Sequence, residues 1–119
     1  MPLLKKIIKN DTRETIVKWT GSGTDTLTLT GLLSNGQTVT GTLQPAVVIL
    51  SASINGTGAT TITRNSQVAL QIVDCFEFQT NGLVHAVLDE NSTSDIVVTM
   101  AGPGTLILRV KKIQGYTGV

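Results

Sequence analysis

The fold is decided by residues 94–113, which read SDIVVTMAGPGTLILRVKKI. Both ends of this stretch are rich in β-branched and aliphatic residues, which favour strands. Between them, residues 101–104 (AGPG) offer the positive φ of glycine and the fixed φ of proline, as tight turns require. The pattern therefore predicts a β-hairpin.

The second strand of this predicted hairpin alternates between two faces. One face carries apolar residues, namely Leu106, Leu108 and Val110. The other face carries Ile107, Arg109 and Lys111. Because successive side chains of a strand point to opposite sides, the apolar face needs a second layer from this chain or from another subunit.

Composition bounds the class of protein. The chain has 119 residues, enough for one domain with a real core, and its low charged fraction of 14% with 12 glycines favours an all-β protein. A net charge of +1 and 3% aromatic residues argue against nucleic-acid binding. The single cysteine excludes an internal disulfide, and no apolar run is long enough to span a membrane.

Strand patterns recur along the rest of the chain. Residues 13–20 and 25–30 predict a hairpin joined by Gly21, Ser22 and Gly23. Residues 31–43 are interpreted as a short hairpin or an ordered loop. Residues 46–54 are apolar on both faces and predict a central strand, covered either by its own domain or by another subunit. Further strands are predicted at 59–64, 67–74 and 83–88, and residues 75–79 are interpreted as a continuation of the 67–74 strand after a bend.

About eight short strands at this spacing predict an all-β, two-sheet antiparallel β-sandwich, with a jelly roll as one candidate topology. We expect a single sandwich domain over residues 13–119, preceded by an N-terminal arm at residues 1–12. The arm mixes apolar and basic residues, and an amphipathic helix is the alternative there, although a helix of that length is marginal alone in water.

No catalytic constellation is visible. His85 is the only histidine and lies among apolar residues, so it is interpreted as structural. Cys75 is interpreted as a buried, inert thiol. No cofactor or metal motif occurs, and we predict that the chain is not an enzyme and uses no cofactor.

The best metal candidate is the polar segment 89–95, where Asp89, Asn91, Thr93 and Asp95 recur at every second position as in a calcium loop. Ser94 replaces the turn glycine of that loop, and Met100 stands where its bidentate carboxylate belongs. An ordinary polar turn is therefore favoured over an ion site.

Residues 12–18, 24–29, 91–99 and 104–112 together resemble the short all-β virion proteins of tailed bacteriophages, in particular those of marine cyanobacteria. The resemblance implies a capsid decoration, or cement, protein that binds the outer shell and stabilises it, commonly as a trimer. A neck, tail or baseplate component is the alternative, and a small carbohydrate-binding module is the second alternative.

The same resemblance implies a place on the virion capsid surface after assembly in the host cytoplasm. The expected partners are the major capsid protein and further copies of the chain, with neither nucleic acid nor membrane. Under this hypothesis, the basic and apolar residues near both ends make the subunit or capsid contacts; they are Leu3, Leu4, Lys5, Lys6, Ile7, Ile8, Lys9, Arg109, Lys111 and Lys112.

Overall fold

The computed structural model describes residues 3–73, 76–79 and 92–118. These residues form seven strands and one 3₁₀ turn at Leu29–Leu32. In chain order, the strands are β1 (Leu4–Asn10), β2 (Glu14–Leu27), β3 (Ala46–Gly56), β4 (Ala59–Arg64), β5 (Gln67–Val73), β6 (Phe76–Gln79) and β7 (Ile96–Gln114).

The long strands β2 and β7 organise the fold, and they correct both predicted hairpins. Residues 94–113 do not fold back on themselves; β7 continues through residues 101–104 for 19 residues. Likewise, β2 continues through Gly21 and Gly23 for 14 residues. The two strands pair with each other in antiparallel register from Glu14↔Lys111 to Leu27↔Ile96. The glycines therefore bend each strand instead of reversing it.

The bend is a corner at which glycines from three strand segments meet. Gly104 of β7 lies opposite Gly21 of β2 on one side and opposite Gly56 of β3 on the other. A Cβ added to Gly104 would lie 2.7 Å from the backbone oxygen of Asn55 and 2.7 Å from the Cα of Gly56. Only glycine therefore allows the backbones to approach this closely.

The corner divides the strands into two sheets. The first sheet contains β1, residues 14–20 of β2, residues 105–114 of β7, β3 and β6. The second contains residues 24–27 of β2, residues 96–100 of β7, β4 and β5. The predicted all-β, antiparallel two-sheet sandwich is confirmed, and its two sheets share long bent strands.

The core lies between the sheets as one cluster of buried side chains. Trp19 and Leu108 enter it from the first sheet, and Ile62 and Val98 enter it from the second; all four have 0% exposure. The predicted inward face of residues 13–20 is confirmed, since Thr15, Val17 and Trp19 are buried there.

Other local predictions have mixed outcomes. The β4–β5 hairpin forms as predicted, with Asn65 and Ser66 at positive φ in its turn. Residues 46–54 lie in β3, which has β7 on one side and β6 on the other. The predicted strand at 25–30 is too long, because Leu29 begins the 3₁₀ turn. Residues 31 and 32 end the 3₁₀ turn, and residues 33–43 form a loop that contains the isolated bridge Val39↔Tyr116. The Leu33 carbonyl and Gln37 Oε1 of this loop accept hydrogen bonds from Asn10 of β1 and Lys112 of β7.

Residues 4–10 form the strand β1, so the helical alternative for the N-terminal segment is wrong. The predicted strand at 83–88, His85, Cys75 and residues 89–91 of the candidate ion loop lie outside the described residues.

Candidate functional site

The outer face of the first sheet collects basic side chains that are far apart in sequence. Alternate residues of a strand share a face, so the residues between the buried Thr15, Val17 and Trp19 point outward, as do those between Leu106, Leu108 and Val110. The strand register brings five cations together on this surface, which we call the cationic face: Lys6, Lys9, Lys18, Arg109 and Lys111.

Two of these lysines lie directly opposite each other. Lys6 of β1 pairs in register with Lys18 of β2, and Lys18 pairs on its other side with Ile107 of β7. Like charges at directly opposed positions destabilise a sheet. Among the described residues, no carboxylate lies within 4.0 Å of the Lys6, Lys18 or Lys111 ammonium groups. Within the described ranges, the sheet therefore carries an unfavourable pair of charges with no carboxylate beside it.

In the described part of the cationic face, Glu14 supplies a carboxylate among the cations. Arg109 donates to it through two nitrogens, at 2.7 Å to Oε1 and 3.0 Å to Oε2. The Lys9 ammonium lies 3.8 Å from Glu14 Oε1. The hydrogen bonds from Arg109 lower the pKa of Glu14, and the same bonds raise the pKa of Arg109. Arg109 is thereby held in one orientation on the face.

Ile16 and Ile107 interrupt the charges with partly buried apolar surface. Ile16 lies between Lys9 and Arg109 in register, and Ile107 lies between Lys18 and Ser53. The cationic face thus combines charge at its rim with aliphatic side chains near its middle, a composition that suits contact with another protein.

Among the strands that the structure describes, β1 is the edge of the first sheet and pairs with β2 alone. Leu4, Ile7 and Ile8 are 59%, 39% and 52% exposed. Leu3 packs against the core, and the Lys5 ammonium lies 3.9 Å from Asp25 Oδ2, a carboxylate that also accepts from Trp19 Nε1 at 2.8 Å. A register shift between Ile7 and Lys9 marks a bulge, which, with the lysines, protects an edge from pairing with its own copy.

Lys112 lies inside the molecule, at 1% exposure. Its ammonium donates to Asn10 Oδ1 at 3.0 Å, to the Asp11 carbonyl at 2.8 Å and to Gln37 Oε1 at 2.8 Å. It also lies 5.3 Å from the centre of the Tyr116 ring. Burial lowers the pKa of Lys112, and Asp11 opposes that shift. This lysine ties loops together and presents no charge to a partner.

Gln37 extends the same network, because its Nε2 donates to the Thr12 carbonyl at 2.9 Å and to the Thr117 carbonyl at 2.8 Å. The turn between β1 and β2, the loop around residue 37 and the C-terminal residues are thereby held together. No feature of the local sequence identifies Gln37 in advance, since an isolated glutamine in a polar loop carries no periodicity.

Arg64 is a second buried cation, at 1% exposure. Its guanidinium donates to the backbone carbonyls of Val47 at 2.7 Å, Ser92 at 2.9 Å and Ser94 at 2.7 Å. Burial lowers the pKa of Arg64. In the described part of the candidate ion loop, the carbonyls of Ser92 and Ser94 therefore face a positive charge of the protein itself.

The last residue of that loop, Asp95, accepts a hydrogen bond from the Leu29 amide at 3.0 Å. Across the described ranges, no group of three or more His, Cys, Asp or Glu side chains is placed to hold a metal ion. A shallow cleft of about 340 Å³ lies beside Asp95, lined by Thr28, Leu29, Thr30, Gln44, Pro45, Thr93 and Asp95. Within this cleft, the Asp95 carboxylate is already hydrogen-bonded to the Leu29 amide at the start of the 3₁₀ turn.

The aromatic side chains that the structure describes belong to the interior. Trp19 is 0% and Tyr116 is 2% exposed, and the Tyr116 hydroxyl donates to the Leu29 carbonyl at 2.6 Å. Neither ring offers a stacking surface to a sugar. No helix in the described ranges is long and apolar enough to cross a membrane.

The structure thus sorts the residues predicted as contacts. It brings Lys6, Lys9, Arg109 and Lys111 together on one face, leaves Leu4, Ile7 and Ile8 exposed along the β1 edge, and directs Lys5 to Asp25. Leu3 and Lys112 turn toward the interior. Lys18 was missed, although the alternation of residues 13–20 already places it on the face opposite Val17 and Trp19.

No protein-family model and no curated protein matches the chain. Solved structures do match over most of its length. An RmlC-like cupin protein from Desulfovibrio desulfuricans has 7% identity and a TM-score of 0.46, covering 92% of this chain and 81% of its own. A cupin superfamily protein from Desulfitobacterium hafniense has 10% identity and a TM-score of 0.44, covering 95% and 79%. A cupin domain from Bordetella pertussis has 7% identity and a TM-score of 0.42, covering 93% of each chain.

These comparisons correct the resemblance to virion proteins of tailed bacteriophages. The solved structures that match include bacterial cupin proteins and a double-stranded β-helix protein from Klebsiella pneumoniae, and none of these is a phage shell protein. The predicted function as a capsid decoration protein, with its neck, tail or baseplate alternative, is therefore wrong. The strand patterns behind the resemblance are shared by antiparallel sandwiches in general, since they record alternation and turns rather than a site.

Proposed function

We propose that this chain is a non-catalytic binding module whose cationic face docks on an acidic surface of a partner protein. The observation that carries the proposal is the direct opposition of Lys6 and Lys18 without a carboxylate beside them in the described part of the chain. An arrangement that weakens the sheet is explained if the two ammonium groups bind anionic groups of another molecule.

The packing and hydrogen bonding of the interior favour a binding function at the surface. The described buried side chains between the sheets form one cluster of aliphatic residues together with Met100, Trp19 and Tyr116. The described buried cations, Arg64 and Lys112, are saturated by hydrogen bonds to the protein's own carbonyl and amide oxygens. Binding capacity therefore resides on the outside of the sandwich.

The chemistry of the face favours an acidic protein over nucleic acid. Ile16 and Ile107 lie between the charges in register, so a partner gains by supplying apolar side chains together with carboxylates. A phosphate backbone would contact the cations and leave the aliphatic surface without a counterpart. The carboxylate of Glu14, held by Arg109, would also repel a continuous row of phosphates.

The test measures the anisotropy of a labelled peptide rich in glutamate and leucine, titrated with the protein at low and at high salt. A variant carrying Lys18→Gln and Lys111→Gln removes two charges from the face. A control carrying Asn35→Asp and Thr42→Glu changes the net charge equally at exposed loop positions. We expect the face variant to bind about tenfold more weakly, or ~1.4 kcal/mol, since each rim charge contributes up to about 1 kcal/mol.

The control should bind the peptide like the wild type within about twofold, and high salt should weaken binding of the wild type because exposed charges are screened. Equal weakening in both variants would contradict the proposal, since net charge alone would then explain the binding. Tighter binding of a labelled DNA duplex than of the peptide would replace the acidic protein with nucleic acid as the partner. Turnover of a substrate by the purified chain would overturn the non-catalytic assignment.

A further inference from the structure

Two cations of the cationic face, Arg109 and Lys9, already contact a carboxylate of the chain itself. Arg109 donates to both oxygens of Glu14, at 2.7 and 3.0 Å, and the Lys9 ammonium lies 3.8 Å from Glu14 Oε1. The three other lysines of the face have no carboxylate within 4.0 Å in the part of the chain that the structure describes. The cationic face therefore holds two kinds of cation, paired and unpaired.

The contact between Arg109 and Glu14 has the geometry in which an arginine recognises a carboxylate. Two N–H donors meet the two carboxylate oxygens, and bidentate pairs of this kind are stronger and more directional than contacts through one donor. The two residues are 95 apart in sequence, and strand register brings them together, because Arg109 lies opposite Ile16, two residues along β2 from Glu14. The structure therefore shows how a carboxylate binds to this part of the face.

Both cations of this contact remain accessible to another molecule. The side chains of Arg109 and Lys9 are 50% and 51% exposed, whereas the side chain of Glu14 is 19% exposed. Ion pairs between exposed groups contribute little net stability, because water and salt screen them. A carboxylate from another molecule can therefore approach Arg109 from the solvent and replace Glu14 at small cost.

Lys111 offers Glu14 a second cation when Arg109 binds another carboxylate. Glu14 and Lys111 lie directly opposite each other in the register of β2 and β7, so their side chains are neighbours on the outer face. Opposite charges at such positions attract each other. Displacement from Arg109 therefore leaves Glu14 beside a cation and does not strand its charge.

From these observations, we infer that Arg109 and Lys9 form a carboxylate-binding subsite of the cationic face, and that Glu14 occupies this subsite in the free chain as an internal competitor of the partner. The inference rests on the proposed function and adds an order of contacts to it. The unpaired lysines attract the acidic partner, and an aspartate or glutamate side chain of the partner then displaces Glu14 from Arg109. Glu14 thus lowers the affinity of the face for acidic proteins.

The test is a double-mutant cycle in which the full chain is titrated against the labelled peptide rich in glutamate and leucine. Glu14→Gln removes the competing charge and should tighten binding about fivefold, as expected when one exposed ion pair is released for the partner. In an Arg109→Gln background, the same change should tighten binding by less than about twofold, because the subsite is gone. Simple repulsion between Glu14 and the peptide would instead tighten binding at least as much in that background.

Thr99→Lys is the control for net charge, because it raises the charge of the chain by the same amount as Glu14→Gln. Thr99 is exposed on the outer face of the second sheet, in one row with Thr24 and Thr61 and away from the cationic face. It should change peptide binding by less than about twofold, since exposed charges beyond a Debye length are screened. Circular dichroism shows whether each variant is folded.

The outcomes separate this inference from the proposed function. If the wild type binds the peptide and Glu14→Gln binds it no more tightly, the inference is overturned and the proposed function stands. Equal tightening in the Arg109→Gln background, or by Thr99→Lys, overturns the inference in the same way. If neither the wild type nor Glu14→Gln binds the peptide, both fail. Binding by Glu14→Gln alone would support both, because Glu14 would then block the subsite completely in the wild type.

Discussion

Lys111 and Lys112 are adjacent in sequence and lie in opposite environments, because successive side chains of a strand point to opposite faces. Lys111 belongs to the exposed cationic face, whereas Lys112 is 1% exposed and donates three hydrogen bonds. A buried ammonium is tolerated only when its protons have acceptors. One residue of difference in position therefore separates a binding charge from a structural one.

We predict that Lys112→Met lowers the free energy of unfolding by about 3 kcal/mol, because buried acceptors on Asn10, Asp11 and Gln37 lose their donor. Lys111→Met is the matched control and should change it by no more than about 0.5 kcal/mol. Urea denaturation followed by Trp19 fluorescence measures both. Equal stability of the two variants would mean that the Lys112 network contributes nothing.

Tyr116 gives a prediction about alkaline pH. Burial, helped by Asp95 and opposed by Arg64, raises the pKa of Tyr116 from 10.0 to about 12. The unfolded chain therefore loses the phenolic proton near pH 10 and the folded chain keeps it to about pH 12. Stability from this group is complete below pH 10 and falls by about 3 kcal/mol between pH 10 and 12.

Tyr116 is the only tyrosine, so ultraviolet absorbance reports its ionisation directly. We expect a midpoint near 12 in the folded protein, and near 10 in denaturant. Tyr116→Phe should lose about 1 kcal/mol at neutral pH, because the hydrogen bond to Leu29 disappears, and should decline less steeply in alkali. A midpoint near 10 in the folded protein would contradict the prediction.

The charge of Lys6 should affect both the free energy of unfolding and the binding of an acidic partner. We predict that Lys6→Glu raises the free energy of unfolding by about 0.5 kcal/mol, since it replaces opposed like charges on β1 and β2 by an attractive pair. The same variant should bind the acidic peptide more weakly. Lys5→Glu is the contrasting neighbour and should destabilise, because it puts a second carboxylate beside Asp25. Destabilisation by Lys6→Glu would remove the argument that the lysine pair is kept for binding.

At the scale of the element, the corner explains what the sequence could and could not predict. The alternation of Leu106, Leu108 and Val110 correctly identified the buried side of β7. Residues 101–104 predict a reversal and instead form a bend, because a Gly/Pro segment allows either. The choice depends on whether the flanking strands pair with each other or, as here, with β2 and with β3 and β4. Those partners are remote in sequence.

The close approach of backbones at the corner predicts that one added methyl group lowers the free energy of unfolding. We expect Gly104→Ala to cost about 3 kcal/mol, because its Cβ would meet backbone atoms of Asn55 and Gly56 that cannot move without disturbing β3. Gly36→Ala is the control: its φ of +80° is strained for alanine, but nothing lies within 4 Å of the added carbon. It should cost only about 1 kcal/mol. Thermal denaturation compares the two.

At the scale of the whole molecule, the sandwich has two outer faces of different chemistry, one cationic and one rich in threonine. The sequence located basic residues near both ends, and the register brings Lys6, Lys9, Arg109 and Lys111 together. The opposition of Lys6 and Lys18 could not be predicted, because it depends on how β1 aligns with β2. The inward direction of Lys112 could have been predicted from the sequence, because Lys112 continues the alternation of Leu106, Leu108 and Val110.

The continuity of β2 and β7 through both sheets also determines how the molecule unfolds. Each long strand belongs to both sheets, and the core is one cluster. Unfolding of one sheet would therefore also remove strand pairing and core contacts from the other sheet. We therefore predict a single cooperative transition. Ile62 lies in the second sheet and Trp19 in the first part of β2, so Ile62→Ala should move the Trp19 fluorescence transition by about 3 kcal/mol, as Leu108→Ala in the first sheet should.

Far-ultraviolet circular dichroism, which reports both sheets, should give the same midpoint as Trp19 fluorescence in the wild type and in each variant. An Ile62→Ala variant whose circular dichroism shifts while its Trp19 transition stays in place would show that the sheets unfold separately. That result would mean that the glycine corner acts as a hinge between two independent units, in which case the bent strands join the sheets without coupling their stabilities.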